Sequence, residues 1–155
     1  MRRTLEQKTA LLERMTFRDP KVTETQLEKL ETLYRPDVEF TDPLNDIKGR
    51  DGFMKMMRRW AAMSDSIDTE VTSVETNGNR AVIEWTSDMR LKLLPRVKVL
   101  GRSELTFDAA GHIARQHDAW PLPGSARWFR AAMLLNEPIR LLRGLSKCAF
   151  QAVSG

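Results

Sequence analysis

Apolar side chains recur at helical spacing near the start of the chain, with Leu5, Leu12 and Met15 on one stripe and Thr9 beside them, which predicts a first helix over 3–15. Residues 16–20 break that pattern and end on Pro20. Thr23 followed by Gln26 has the form of a capping box and opens a second helix, whose stripe is Leu27, Leu30 and Leu33 and which Pro36 ends. The period then drops to two: Val38, Phe40 and Asp42 share one face of a short strand over 38–42. Residues 43–49 read as loop, and Asp51 caps a third helix carrying Phe53, Met54, Met56, Met57, Trp60 and Met63. Four longer strand-like runs follow, over 67–76, 80–93, 96–107 and 112–120. Their separators, Asn77-Gly78-Asn79, Leu94-Pro95 and Asp108-Ala109-Ala110-Gly111, are each short enough for a hairpin, so the runs form an antiparallel meander. Helices gathered ahead of such a meander cover one of its faces, which makes the class α+β. Two further helices, over 124–136 and 138–152 and split by Pro138, are expected to form a tail. The organisation is thus an α+β domain over 1–123 and a basic amphipathic helical tail over 124–155, packed on or beside it.

A chain of 155 residues with 41% hydrophobic and 30% charged content suits one core. No uncharged apolar run reaches the ~18 residues of a membrane span, and Met1-Arg2-Arg3 leads into charged helix, so a cytoplasmic location is expected. Cys148 has no partner for a disulfide, and His112 and His117 alone make no metal cluster; no phosphate-cradling glycine loop is present. No metal and no cofactor are expected. The net charge of +4 is uneven: residues 1–123 balance, whereas 124–155 set Arg127, Arg130, Arg140, Arg143 and Lys147 against Glu137 alone. That excess is too local for a nucleic-acid groove. Basic groups opposite bulky apolar ones fit a membrane surface, a lid or a packed helix, and packing or a lid is favoured because Pro138 breaks the run into two short pieces.

Three aspartates are the candidate chemistry. If the face of Val38 and Phe40 looks inward, Asp42 is a carboxylate among apolar groups, where burial raises its pKa and makes it a candidate proton acceptor; the alternative is a strand-ending Asp-Pro turn. Asp118 shares its face with Ala114, Gln116 and Trp120 and fits a cavity rim. Asp88 alternates with the apolar set Ala81, Ile83, Trp85, Met89 and Leu91, so it joins the site only through a bulge or a polar cavity. The methionine-rich third helix reads either as irregular core or as an adjustable cavity wall. His117 reads as a sheet-surface or interface histidine.

The order of these elements, the strand phrase 38–43, the Gly49-Arg50-Asp51-Gly52-Phe53 start of the third helix and the ending from Phe107 through His117-Asp118-Ala119-Trp120 resemble the nuclear-transport-factor-two-like superfamily, its SnoaL-like members above all. The resemblance covers roughly residues 20–122. It implies a cone-shaped curved sheet packed on the N-terminal helices, a cystatin-like α+β roll, with an apolar cavity for a small hydrophobic molecule and a homodimer formed through the sheet. Phe40, Phe53, Met57, Trp60 and Trp120 are the expected ligand-lining residues. Resemblance to ketosteroid isomerases places a general base on Asp42, but their oxyanion-binding Tyr falls near Phe17 or Arg18 and their protonated Asp at about Ser103. Resemblance to limonene-epoxide hydrolases places water activation on Asp118 and the second acid on Asp88, while their Arg, Asn and Tyr positions read Thr86, Asp42 and Phe40. SnoaL-like cyclases again imply Asp118 as base. The resemblance therefore implies either acid/base isomerase, cyclase or epoxide-hydrolase chemistry through Asp118 and Asp42, or a non-catalytic ligand-binding or interaction module on the same fold.

Overall fold

Helix α1 (Arg2–Arg14) turns Leu5 and Lys8 inward, and in the computed structural model, which describes residues 1–14, 19–92 and 96–121, it is followed by α2 (Pro20–Glu31). The expected capping box does not start α2. Asp19 is the cap, its Oδ1 accepting from the amides of Lys21 (2.8 Å) and Val22 (3.3 Å), with Pro20 in the first turn. A proline there gives up no needed N–H and has the right φ, so Asp-Pro outcompetes the later Thr-x-x-Gln signal. Thr23 instead donates back to the Asp19 carbonyl at 2.8 Å.

Pro36 does not end this helix. Helix α2 stops at Glu31, and Pro36 lies inside strand β1 (Tyr34–Thr41), where the ladder shifts register between Tyr34 and Glu39 and the absent N–H is tolerated. Asp42 turns the chain so that β2 (Asp46–Lys48), a strand within the expected loop, pairs back on β1 through Phe40 and Ile47. Gly49, at φ 89°, then starts α3 (Arg50–Met63) in place of the expected Asp51 cap, its amide donating to the Val38 carbonyl at 2.8 Å. A left-handed backbone at this corner favours glycine.

The meander follows as expected: β3 (Ser64–Asn77), β4 (Arg80–Leu91), β5 (Val97–Phe107) and β6 (Ile113–Ala119). The six strands make one curved, unclosed sheet in the order β2-β1-β6-β5-β4-β3, antiparallel except where β1 runs parallel to β6. Leu27, Leu30, Val38, Phe53, Ile83, Leu105 and Ile113 form the dry centre, each at most 1% exposed. Residues up to Pro121 form one compact unit. The tail helices expected over 124–152 lie outside the described residues. Among the described residues no helix is long and apolar enough to cross a membrane.

One close approach fixes the shape of the inner face. Trp85 on β4 stands opposite Gly101 on β5, and a Cβ at Gly101 would lie 2.2 Å from the indole ring. The ring lies across the bare glycine and its Nε1 donates to Ser103 Oγ at 2.9 Å. Gly101→Ala is therefore expected to push Trp85 off Ser103 and to lower stability by about 1–3 kcal/mol, as overpacking does. Thermal unfolding and the Trp85 indole N–H resonance check both effects; an unshifted resonance at unchanged Tm contradicts this packing.

Candidate active site

Inside the cone is a cavity of about 160 Å³. Helix α3 supplies Phe53, Met56, Met57 and Trp60 to its wall at the 3-and-4 spacing of one helix face, and Leu12 of α1 joins them. The sheet supplies Phe40, Ile67, Trp85, Met89, Val99 and Trp120. Phe53 links the layers, its ring centroid 4.5 Å from Tyr34 and 5.0 Å from Phe40. All five residues expected to line a ligand site, Phe40, Phe53, Met57, Trp60 and Trp120, surround this one void.

Besides Thr69 and Ser87, which bond each other at 2.7 Å, a group of linked polar side chains lines the cavity. Gln116 and Asp118 face inward from alternate positions of β6, with Ser103 of β5 paired directly opposite Asp118. A directed run of hydrogen bonds leads to that carboxylate. Lys8 Nζ donates to the Tyr34 hydroxyl (2.5 Å), Tyr34 donates to Gln116 Oε1 (2.5 Å), and Gln116 Nε2 lies 2.9 Å from both Asp118 oxygens. Because an ammonium only donates, it orients the tyrosine proton toward Gln116; the glutamine carbonyl is thereby engaged, and only its NH₂ is left to face the acid. Ser103 also bonds Asp118, while receiving the Trp85 indole N–H.

Burial pushes each ionisable member toward its neutral form. The Asp118 carboxyl pKa is raised chiefly by desolvation, with the Asp42 charge adding to the rise and Lys8, Ser103 and Gln116 opposing it. Lys8, 3% exposed, is lowered to about 8 by desolvation against the pull of Asp118. Tyr34 is raised well above its ordinary value, by burial first and then by Asp118. Attraction between Lys8 and Asp118 therefore offsets only part of the cost of removing both from water.

The three aspartates separate. Asp42 lines the same cavity as Asp118, but its Oδ1 accepts from the amides of Leu44 and Asn45, each at 2.7 Å, and Asn45 Nδ2 bonds both its oxygens. It is thus also the turn-forming residue of the Asp-Pro alternative. Asp88 is not among the lining residues: no bulge turns it inward, and it pairs with Arg96 through two contacts of 2.6 Å, which hold its carboxyl below the usual range. Odd-numbered residues of β4, including Trp85, Ser87 and Met89, take the inner face, as the period-two pattern dictates. His117 is exposed on the other side of β6 and bonds Thr41 at 2.7 Å. Sequence reasoning passed over Lys8, whose signal was its place on the Leu5–Leu12 stripe, three residues after one leucine and four before the other. It also passed over Tyr34 and the orienting role of Gln116.

No curated protein matches the sequence. Among solved structures, an NTF2-like protein of unknown function from Exiguobacterium sp. 255-15 is similar at 15% identity and TM-score 0.64, over 76% of this chain and 98% of that one. An LEH-like epoxide hydrolase from M. tuberculosis is similar at 15% identity and TM-score 0.60, over 77% and 80%. A de novo designed protein with a curved β-sheet is similar at 17% identity and TM-score 0.59, over 86% and 94%. A designed protein and an epoxide hydrolase score alike, so these likenesses speak to the fold and leave chemistry to the side chains. The cone, the cavity and the strand order agree with a sequence match that runs from residue 13 to residue 119, and the chain belongs to the SnoaL-like domain family.

Proposed function

We propose that the cavity binds a small apolar molecule and that Asp118 acts on it as a proton acceptor, either directly or through a water molecule held beside it. The observation that carries this reading is a carboxylate with both oxygens oriented by Gln116, in a cavity whose wall is mostly apolar. A general base needs a pKa moved toward the working pH and a fixed direction of approach, and both features favour Asp118 for that task. Asp42 acts as the second carboxylate in this proposal, shaping the charge around Asp118 while it holds the β1–β2 turn. The similarity to an epoxide hydrolase makes apolar epoxides the first substrates to try, with enolisable ketones as the isomerase and cyclase counterpart. The full Asp–Arg–Asp arrangement that the resemblance implies is not carried over, because Asp88 pairs with Arg96 away from the cavity.

A panel of apolar epoxides and enolisable ketones, assayed with full-length protein, tests the proposal. Asp118→Asn is expected to lower kcat by about 10²–10⁴-fold, the usual contribution of a positioned acid or base, while binding of an apolar fluorescent probe persists. Asp88→Ala is expected to leave turnover unchanged. Probe binding with no turnover of any substrate would instead support the binding-module reading.

The acid limb of activity is expected to follow Asp118, because a proton acceptor is lost as pH falls through its raised pKa. Carboxyl ¹³C titration reads that pKa directly. Lys8→Met removes the charge that lowers it, so the midpoint is expected to rise further; Asp42→Asn removes a charge that raises it, so the midpoint is expected to fall. Unmoved midpoints in both variants would contradict the electrostatic arrangement.

A further inference from the structure

Lys8 has no covalent role in the reading above, yet it combines features that surface lysines lack. It is 3% exposed, lines the cavity, and sits at the end of a hydrogen-bonded run whose other end is a carboxyl group. The other lysines among the described residues, such as Lys21, Lys55 and Lys98, are exposed. Tyr34 fixes the position of the amine, and apolar side chains including Met57, Trp60 and Trp85 line the same cavity. A desolvated amine that lines the same cavity as a carboxyl group has what covalent catalysis through an imine requires.

We infer that Lys8 is a nucleophile that captures the carbonyl carbon of an apolar aldehyde or ketone as a Schiff base, with Asp118 delivering the proton that removes the carbonyl oxygen as water. This inference rests on the cavity being a small-molecule site. The Nζ lone pair forms the new N–C bond as the C=O π pair moves onto oxygen, and that oxygen takes a proton released by the nitrogen to give a carbinolamine. Protonated Asp118 then gives its proton to the hydroxyl group, water departs, and the remaining nitrogen pair closes the C=N bond. The products are an iminium ion on Lys8, an Asp118 carboxylate and one water. No oxidant or reductant enters. The chemistry suits the site because the attacking amine must be neutral and the dehydrating acid protonated, and burial favours each of those forms. With its pKa lowered to about 8, Lys8 carries roughly a hundredfold or more neutral amine at pH 7 than an ordinary lysine.

The test is reductive trapping. Full-length protein is treated at pH 7 with 3-phenylpropanal and sodium cyanoborohydride, digested, and each amine is quantified by mass spectrometry, with the terminal amine resolved as its own peptide. Lys8 is expected to be alkylated about tenfold faster than the exposed lysines, an advantage smaller than its excess of neutral amine because access is through the cavity. That advantage is expected to shrink as the pH is raised to 10, where exposed lysines also lose their protons, and 3-phenylpropan-1-ol is expected to protect Lys8 alone. Labelling of Lys8 no faster than of Lys21, in protein where the aldehyde still displaces an apolar fluorescent probe, overturns the covalent role and leaves the cavity reading standing. Failure of both aldehyde and probe to bind overturns the two together.

Discussion

The constraint on which this structure depends is the withdrawal of a lysine and an aspartate from water into one apolar cone. Each ion alone in such a place would be too costly to keep. Lys8 and Asp118 are reconciled by what stands between and around them, a tyrosine and a glutamine whose donors all point from the cation toward the anion, and a serine that closes the far side. The elements that carry these groups, α1, β1, β5 and β6, are therefore tied by polar geometry as well as by apolar packing. Their relative placement has little freedom without leaving a buried donor or acceptor unmatched.

The apolar part of the cone serves that polar group. Phe53 packs on both Tyr34 and Phe40, so the helix that forms one wall also steadies the ring whose hydroxyl directs Gln116. Trp85 fits only because β5 offers a glycine beneath it, and its indole N–H occupies a lone pair of Ser103. Packing and site chemistry are thus joined at single residues. Asp42 shows the same economy: one carboxylate closes the β1–β2 turn and adds negative potential near Asp118.

Much of the architecture was legible in the sequence because period-two and period-3.6 patterns are strong over long elements. The four strands of the meander, the three helices and the inner face of β4 all follow from alternation or stripe. Local starts and stops were less legible, since neighbouring signals compete: Asp19-Pro20 overrode Thr23-x-x-Gln26, and a register shift accommodated Pro36 within a strand. Of the cavity lining, Asp42, Asp118 and the aromatic wall were readable from alternation and from the family resemblance, whereas Asp88, which the resemblance drew inward, faces away as alternation indicated. Lys8 was not, because a lone lysine on a charged helix has the same local appearance whether it faces solvent or a cavity. Only its partners, 26 residues on for Tyr34 and a further 82 for Gln116, distinguish the two, and those separations are a property of the fold.

The parallel pairing of β1 with β6 has a consequence for the order in which the cavity is completed. Thr41 meets His117, and Glu39 meets Arg115, each at a sequence separation of 76. Closing so long a loop costs entropy that only the completed contacts repay. A ribosome-borne chain that ends before residue 113 already holds Phe53, Met57, Trp60 and Trp85, yet lacks Gln116 and Asp118 altogether. The greasy wall of the hollow is thus synthesised first, and the acid with the amide that orients it comes only with the final strand.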